Sequence, residues 1–322
     1  MLRLPDTWVW DSWYLDDGER YHGFYLKASR ALLDPDRRHH RASIGHATSA
    51  DLSTWTELPD ALVASDEPAF DDLATWTGST IIGPDGRFHL FYTGISREFG
   101  DRVQRIGHAV SDDTLTWTRL DVPTVCADPR WYETYALTEH EPWRDPWVYR
   151  DDGVGVWRML ITASTADGVA GARGCLGTAV STDLANWIVE PPLTTPAGLH
   201  QFEVPQTLEV DGRFVLVWCM RRIDVGEQAA APGDGGAPIT GTWSAPAASL
   251  SGPFHLQHAE PIRVPGTYAG RVVETREGGL VLLAFADVES DGAFGGHLID
   301  PVAVHLTARG TLQPQSPAYA GD

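Results

Sequence analysis

Apolar-rich segments of strand length follow one another through most of the chain, separated by polar, glycine-bearing turns. ERYHGFYLKA and RASIGHATS come first, followed by GSTIIG, RFHLFYTG and RIGHAVS. DPWVYRDD, VWRMLITAS and CLGTAVS make the next group, then FEVPQTLEV, RFVLVWCMR and TWSAPA, and finally AGRVVETR, LVLLAFAD and VAVHLTA. The turns DDG, PDG, DDG, VDG and EGG fall between successive segments, where glycine lets a strand reverse into a hairpin. Only ASRALLD, near residues 28–34, carries a helical-turn pattern.

The groups are copies of one unit. GHATSADLSTW at 45–55, GHAVSDDTLTW at 107–117 and GTAVSTDLANW at 177–187 share a small-residue strand, then Ser, Asp and Trp, and TWSAPAASLSGPF at 242–254 is a weakened copy. The closing aromatics Trp55, Trp117, Trp187 and Phe254 are 62, 70 and 67 residues apart, so the chain holds about five units. Four short antiparallel strands per unit, repeated radially, predict an all-β fold, a five-bladed β-propeller with its site in the central channel. The whole of 1–322 is read as one catalytic domain. The repeated Ser-x-Asp…Trp is expected to form a turn, with the Trp packed between blades. Segments 122–142 and 223–240 fall outside the repeat. The second is a mobile Gly/Ala/Pro loop by composition, and its glycines do not open a helix after a strand, so no phosphate loop is predicted. The run RRHHR at 37–41 reads as a solvated loop.

Composition narrows the function classes. With 44 acidic and 24 basic residues in 322, the net charge of −20 is the reverse of a nucleic-acid footprint and repels an anionic membrane. It suits a neutral substrate or a cationic transition state. Thirteen tryptophans serve both as blade anchors and as platforms for sugar rings. Three cysteines without a CxxC pattern predict neither a disulfide framework nor a zinc site. MLRLPDTWVWDSW shows no apolar leader, and no apolar run approaches the ~20 residues of a membrane span, so a cytoplasmic protein is expected. No cofactor is called for, and no catalytic metal. A structural calcium ion is compatible with so many acidic loops.

The innermost strand of each blade faces the channel, so a site there draws one residue from each. Asp11, Ser79, Asp145, Glu203 and Tyr268 open their units at separations of 68, 66, 58 and 65 residues and are expected to face one axis at similar depth. Three of the five are acids. Crowded carboxylates oppose folding, whereas glycoside cleavage needs a nucleophile or base, a proton donor and a group to hold hydroxyls. Asp11 lies within Trp10-Asp11-Ser12-Trp13, which has no turn residues. Asp145-Pro146 alone would read as a turn, and its place in the period favours the site. Glu203 sits in an apolar strand, where an outward-facing side chain is the bland alternative. Ser79, Tyr268 and Trp76 divide evenly between core and site. Arg144 is placed to orient Asp145 or to bind hydroxyls.

The motifs also carry a family resemblance. Trp-Asp-Ser-Trp at 10–13 with Tyr21-His22-Gly23 resembles the levansucrase and inulosucrase group, glycoside hydrolase family 68. Trp76-Thr77-Gly78-Ser79 resembles that group's WSGS stretch, and Arg144-Asp145-Pro146 matches the RDP motif shared with the invertase-like family 32. Glu203-Val204-Pro205 resembles the ECP segment of family 32. The resemblance implies a retaining enzyme on β-fructofuranosides such as sucrose or fructo-oligosaccharides, hydrolysing or transferring fructosyl. Asp11 is then the nucleophile, Glu203 the acid/base and Asp145 the transition-state stabiliser. Trp10 and Trp76 wall the pocket, Arg144 assists Asp145, and Ser79 and Tyr268 lie near the nucleophile or ring. The two reacting carboxyls are expected ~5–5.5 Å apart.

Three positions depart from family 68: Tyr14 replaces a Pro, Val204 an Arg and Gln201 a Glu. The blades use the whole length, so the C-terminal β-sandwich typical of family 32 is expected to be missing. The rival readings are an inverting α-L-arabinofuranosidase or β-xylosidase of the family 43 type and a catalytically silent sugar-binding propeller. In each the ligand is a small saccharide or glycoside.

Overall fold

All five predicted turns join the first strand of a sheet to its second in the computed structural model, which describes residues 1–196, 198–222 and 239–315. Most of the 223–240 loop therefore lies outside the described residues. Blade 1 comprises β1 (Thr7–Asp16), β2 (Tyr21–Ser29), β3 (Ser43–Ser49) and β4 (Trp55–Leu62). Blade 2 comprises β5 (Ala74–Ile82), β6 (Phe88–Ser96), β7 (Gly100–Ser111) and β8 (Thr118–Arg119). Blade 3 comprises β9 (Trp143–Asp151), β10 (Val156–Ser164), β11 (Gly174–Ser181) and β12 (Ile188–Glu190). Blade 4 comprises β13 (Glu203–Val210), β14 (Arg213–Met220), β15 (Gly241–Ala247) and β16 (Glu260–Pro261). Blade 5 comprises β17 (Thr267–Glu274), β18 (Leu280–Ala286), β19 (Val302–Leu306) and β20 (Leu312–Pro314).

Each blade is an antiparallel meander in chain order. The first strands β1, β5, β9, β13 and β17 pack side by side in a closed ring, which makes the fold a five-bladed β-propeller. The N-terminus fastens the ring: Leu2 and Leu298 exchange backbone hydrogen bonds at 3.2 and 3.0 Å, and Val9 N–H reaches Gly296 O at 3.0 Å. In the third hairpin the left-handed residue is Gly155 (φ 72°) rather than Gly153, the glycine of DDG. No helix among the described residues is long and apolar enough to cross a membrane.

The Ser-x-Asp…Trp repeat is the structural device expected of it. Asp183 Oδ1 accepts the N–H groups of Ala185 and Asn186 at 2.9 and 2.8 Å and the Ser181 hydroxyl at 3.0 Å. Those bonds hold Leu184 at φ 65° and turn Trp187 inward, its indole donating to Leu184 O at 3.0 Å. The same constellation recurs at Asp51 and Asp113. Two of these Trp residues pack on the preceding blade: Trp117 meets Phe24 edge-on at 5.9 Å, and Trp187 meets Phe91 at 5.5 Å, whereas Trp55 meets Tyr14 of its own blade at 5.8 Å. Burying aromatic faces at these two seams adds to the cohesion between blades.

The helical pattern near 28–34 is a 3₁₀ turn, Arg30–Leu32, capped by Ser29, and a second one, Pro35–Arg41, follows it under an Asp34 cap. RRHHR lies within this second turn; Arg37, His39, His40 and Arg41 are exposed, as a solvated segment would be, and Arg38 alone turns inward. Proline at its start and the Asp34 cap fix the turn over the channel mouth. Arg38 is only 5% exposed, its guanidinium 4.1 Å from the Phe294 ring centre and 5.5 Å from that of Trp10.

Candidate active site

A β-bulge interrupts the first strand of every blade. Pairing with the second strand slips between Trp10 and Ser12, Trp76 and Gly78, Glu203 and Gln206, and Tyr268 and Arg271, and in blade 3 it slips opposite Asp145 and Pro146. A bulge re-aims a side chain toward an axis without ending the sheet. Registering the blades on these bulges gives two rings. One is Trp10, Trp76, Arg144, Glu203 and Tyr268; the next is Asp11, Thr77, Asp145, Val204 and Ala269. Asp145, Val204 and Ala269 all hold left-handed backbone, at φ 55°, 51° and 50°.

The sequence spacing had grouped residues from different rings, and Ser79 is the casualty. It is 1% exposed, does not line the cavity, and its hydroxyl accepts the Val148 N–H at 3.0 Å, stitching blade 2 to blade 3. Thr77 occupies the position assigned to Ser79. The other seven candidates, Trp10, Asp11, Trp76, Arg144, Asp145, Glu203 and Tyr268, all line one cavity of about 740 Å³ at the propeller axis.

The polar groups of that cavity form one network. The Thr77 hydroxyl donates to Asp11 Oδ2 at 2.5 Å. Asp145 Oδ2 accepts the Thr162 hydroxyl at 2.9 Å and the Val204 N–H at 3.1 Å, and the Arg144 guanidinium lies 3.5 Å away. Arg144 also donates to Glu203 Oε1 at 2.7 Å and to Gln104 Oε1 at 3.1 Å. Tyr268 donates its hydroxyl to Glu203 Oε2. Burial and the Glu203 charge push the Tyr268 phenol well above its usual range, which keeps it a donor. Arg221 lies over the Tyr268 ring at 4.4 Å and pairs with Asp287 at 3.0 Å.

Burial drives the electrostatics. It pushes Asp11 up to about 6, reinforced by the Asp145 and Glu203 charges and opposed by the Thr77 hydrogen bond and Arg38. Asp145 is also raised by burial, against the pull of Arg144. Desolvation at the cavity mouth, with Arg38 beside it, lowers His39 to about 3 and leaves it neutral at pH 7 although the residue stays solvent-accessible, its ring edge-on to both Trp10 and Trp76. Three acids in graded environments around one arginine can divide the work of nucleophile, proton donor and hydroxyl clamp. Among the described residues, no group of three or more His, Cys, Asp or Glu could hold a metal ion.

Sequence reasoning missed Thr77, Arg38, His39 and Arg221. Thr77 was within reach, because Trp76-Thr77 repeats the Trp10-Asp11 order. Arg38, His39 and Arg221 stand outside the first strands, and nothing in their spacing sets them apart.

The model of the glycosyl hydrolases family 32 N-terminal domain matches residues 13–288, which include Asp145, Glu203 and Tyr268 and begin two residues after Asp11. An insoluble-isoenzyme β-fructofuranosidase of Arabidopsis thaliana is 31% identical over 198 residues, covering 59% of this chain and 34% of the relative. A sucrose-6-phosphate hydrolase of Bacillus subtilis is 33% identical over 180 residues, covering 54% of this chain and 34% of the relative. The chain thus aligns with about a third of these relatives' length. In fold it is similar to inulosucrase from Halalkalicoccus jeotgali bound to kestose, with a TM-score of 0.78 at 22% identity, covering 97% of this chain and 89% of that one. Levansucrase from Gluconacetobacter diazotrophicus gives 0.75 at 19% identity, covering 97% and 81%. With the family model running through most of four blades and into the fifth, the chain belongs to glycosyl hydrolase family 32.

Proposed function

We propose that the chain is a retaining glycoside hydrolase or fructosyltransferase acting on β-fructofuranosides such as sucrose or fructo-oligosaccharides. The observation that carries this reading is the convergence of Asp11, Asp145 and Glu203, from blades 1, 3 and 4, on one axial cavity. Asp11 attacks the anomeric carbon. Glu203 protonates the departing oxygen and then takes a proton from water or an acceptor hydroxyl. Asp145 and Arg144 hold ring hydroxyls and offset the positive charge of the oxocarbenium-like transition state. Trp10 and Trp76 wall the sugar, and Tyr268 orients Glu203. Family membership gives the inverting arabinofuranosidase reading no support, and the presence of all three acids weighs against a silent sugar binder.

The experiment is incubation with sucrose, levan or inulin oligomers and aryl arabinofuranosides, with first-formed anomers followed by NMR. Release of fructose with its configuration retained is expected from the fructosides, and Asp11→Asn is expected to stop it. Inverted product, or turnover of the arabinofuranoside alone, would refute the reading.

A further inference from the structure

Arg271 lies on β17, three residues past Tyr268, and is only 1% exposed. Its side chain leaves its own blade. Nη1 donates to Pro205 O at 2.6 Å and to Val204 O at 3.3 Å in blade 4, and the guanidinium lies 4.9 Å from the Trp147 ring centre in blade 3. Its Nε and Nη2 make no hydrogen bond among the described residues. A buried cation with unpaired donors is a poor stabiliser in its own right. What it holds gives it a purpose.

Val204 is β-branched and left-handed, a strained combination that persists only where its surroundings fix it. Both of its peptide groups are fixed. Its N–H donates to Asp145 Oδ2, and its carbonyl accepts from Arg271. Glu203 is the preceding residue. One short segment thus carries Glu203, supplies a donor to Asp145 and is anchored by Arg271.

We propose that Arg271 is a positioning residue, clamping the Val204 and Pro205 carbonyls so that Glu203 and Asp145 keep their mutual geometry. The proposal rests on the roles given above to those two acids. Arg271 does not line the cavity and acts on the chemistry through Val204. Its charge also favours the ionised carboxylates. Asp145 faces Arg144 on its own strand, Glu203 in blade 4 and Arg271 in blade 5; Asp11 faces Asp145, Glu203, Arg38 and Arg271; Tyr14 and Cys219 are the other titratable neighbours of Arg271.

Arg271→Met and Arg271→Lys separate clamp from charge. R271M is expected to lower kcat roughly 10- to 100-fold, as misplacement near 1 Å does, with KM within about threefold. Its acid limb of kcat/KM should move to higher pH. R271K, which keeps the charge without the planar fork, should lose kcat similarly and keep the wild-type acid limb. A folded R271M with wild-type kcat and acid limb, or an R271K with full kcat, would overturn the proposal. A titration followed by carboxyl-¹³C NMR, with Asp145 assigned through D145N, needs no turnover: its midpoint should rise in R271M, and an unmoved midpoint overturns the proposal. A chain that cleaves no fructoside but whose Val204 amide loses protection from hydrogen exchange in both R271M and R271K fails the functional reading and keeps the clamp. Should R271M not fold, Arg271→Gln replaces it in both measurements.

Discussion

Replacing Thr77 by valine tests how Asp11 is tuned. Thr77 is 2% exposed and nearly the same shape as valine, so T77V removes the 2.5 Å hydrogen bond to Asp11 Oδ2 with little change in packing. A hydrogen bond to a charged group is worth ~1.5–3 kcal/mol, and one pKa unit is ~1.4 kcal/mol, so the loss corresponds to about one to two units. The bond favours the ionised form, and removing it raises the pKa. Wild-type Asp11 sits at about 6, already above its ordinary 3.8. The acid limb of kcat/KM on sucrose should therefore move from near pH 6 to roughly 7–8, with about a tenfold or greater loss at pH 5 that shrinks as the pH rises. Thr77→Ser keeps a donor and should keep the wild-type limb. A T77V protein that stays folded with its acid limb unmoved would refute the assignment of that limb to Asp11.

Further predictions follow from the same geometry. Asp11→Asn should abolish turnover and stabilise the fold. Because its folded pKa lies above the unfolded value, ionisation of Asp11 opposes folding at neutral pH by up to about 3 kcal/mol. That gain, read by urea unfolding at pH 7, should vanish below about pH 4. Ser79→Ala should cost ~1–3 kcal/mol by stranding the Val148 N–H, while kcat/KM stays within about threefold. His46 and His108 each stack on a phenylalanine, at 4.5 and 4.3 Å, and are held neutral by burial at about 3. Their folded pKa lies below the unfolded value, so stability should fall as pH drops below about 6.5, by up to ~1.4 kcal/mol per pH unit for each ring. His108→Thr, which installs the residue Thr178 has at the equivalent place in blade 3, should flatten that dependence in unfolding curves at pH 7 and 4.5.

The blade plan was legible because it is written locally. A turn glycine, a Ser-x-Asp turn and an inward Trp are each set by a few neighbouring residues, and they repeat. Asp11, Asp145 and Glu203 stood out because acids in apolar strands are costly unless used. The axial register was not legible, since a bulge adds a residue without a sequence mark of its own, and two positions of slip were enough to confuse Ser79 with Thr77. Arg38 and His39 were hidden in a run that reads as solvent-facing. Only the three-dimensional path of the Pro35–Arg41 turn brings them over Trp10. Arg271 was invisible for the same reason, because its contacts lie on blades 3 and 4.

The account is tested most directly by trapping the intermediate. Glu203→Gln, given an aryl β-fructofuranoside whose leaving group needs no proton, should form the covalent intermediate and hydrolyse it slowly for want of a base. Mass spectrometry of the quenched, digested protein should find one fructosyl unit esterified to Asp11. An adduct on another residue, or steady turnover with inverted product and no adduct, would contradict it.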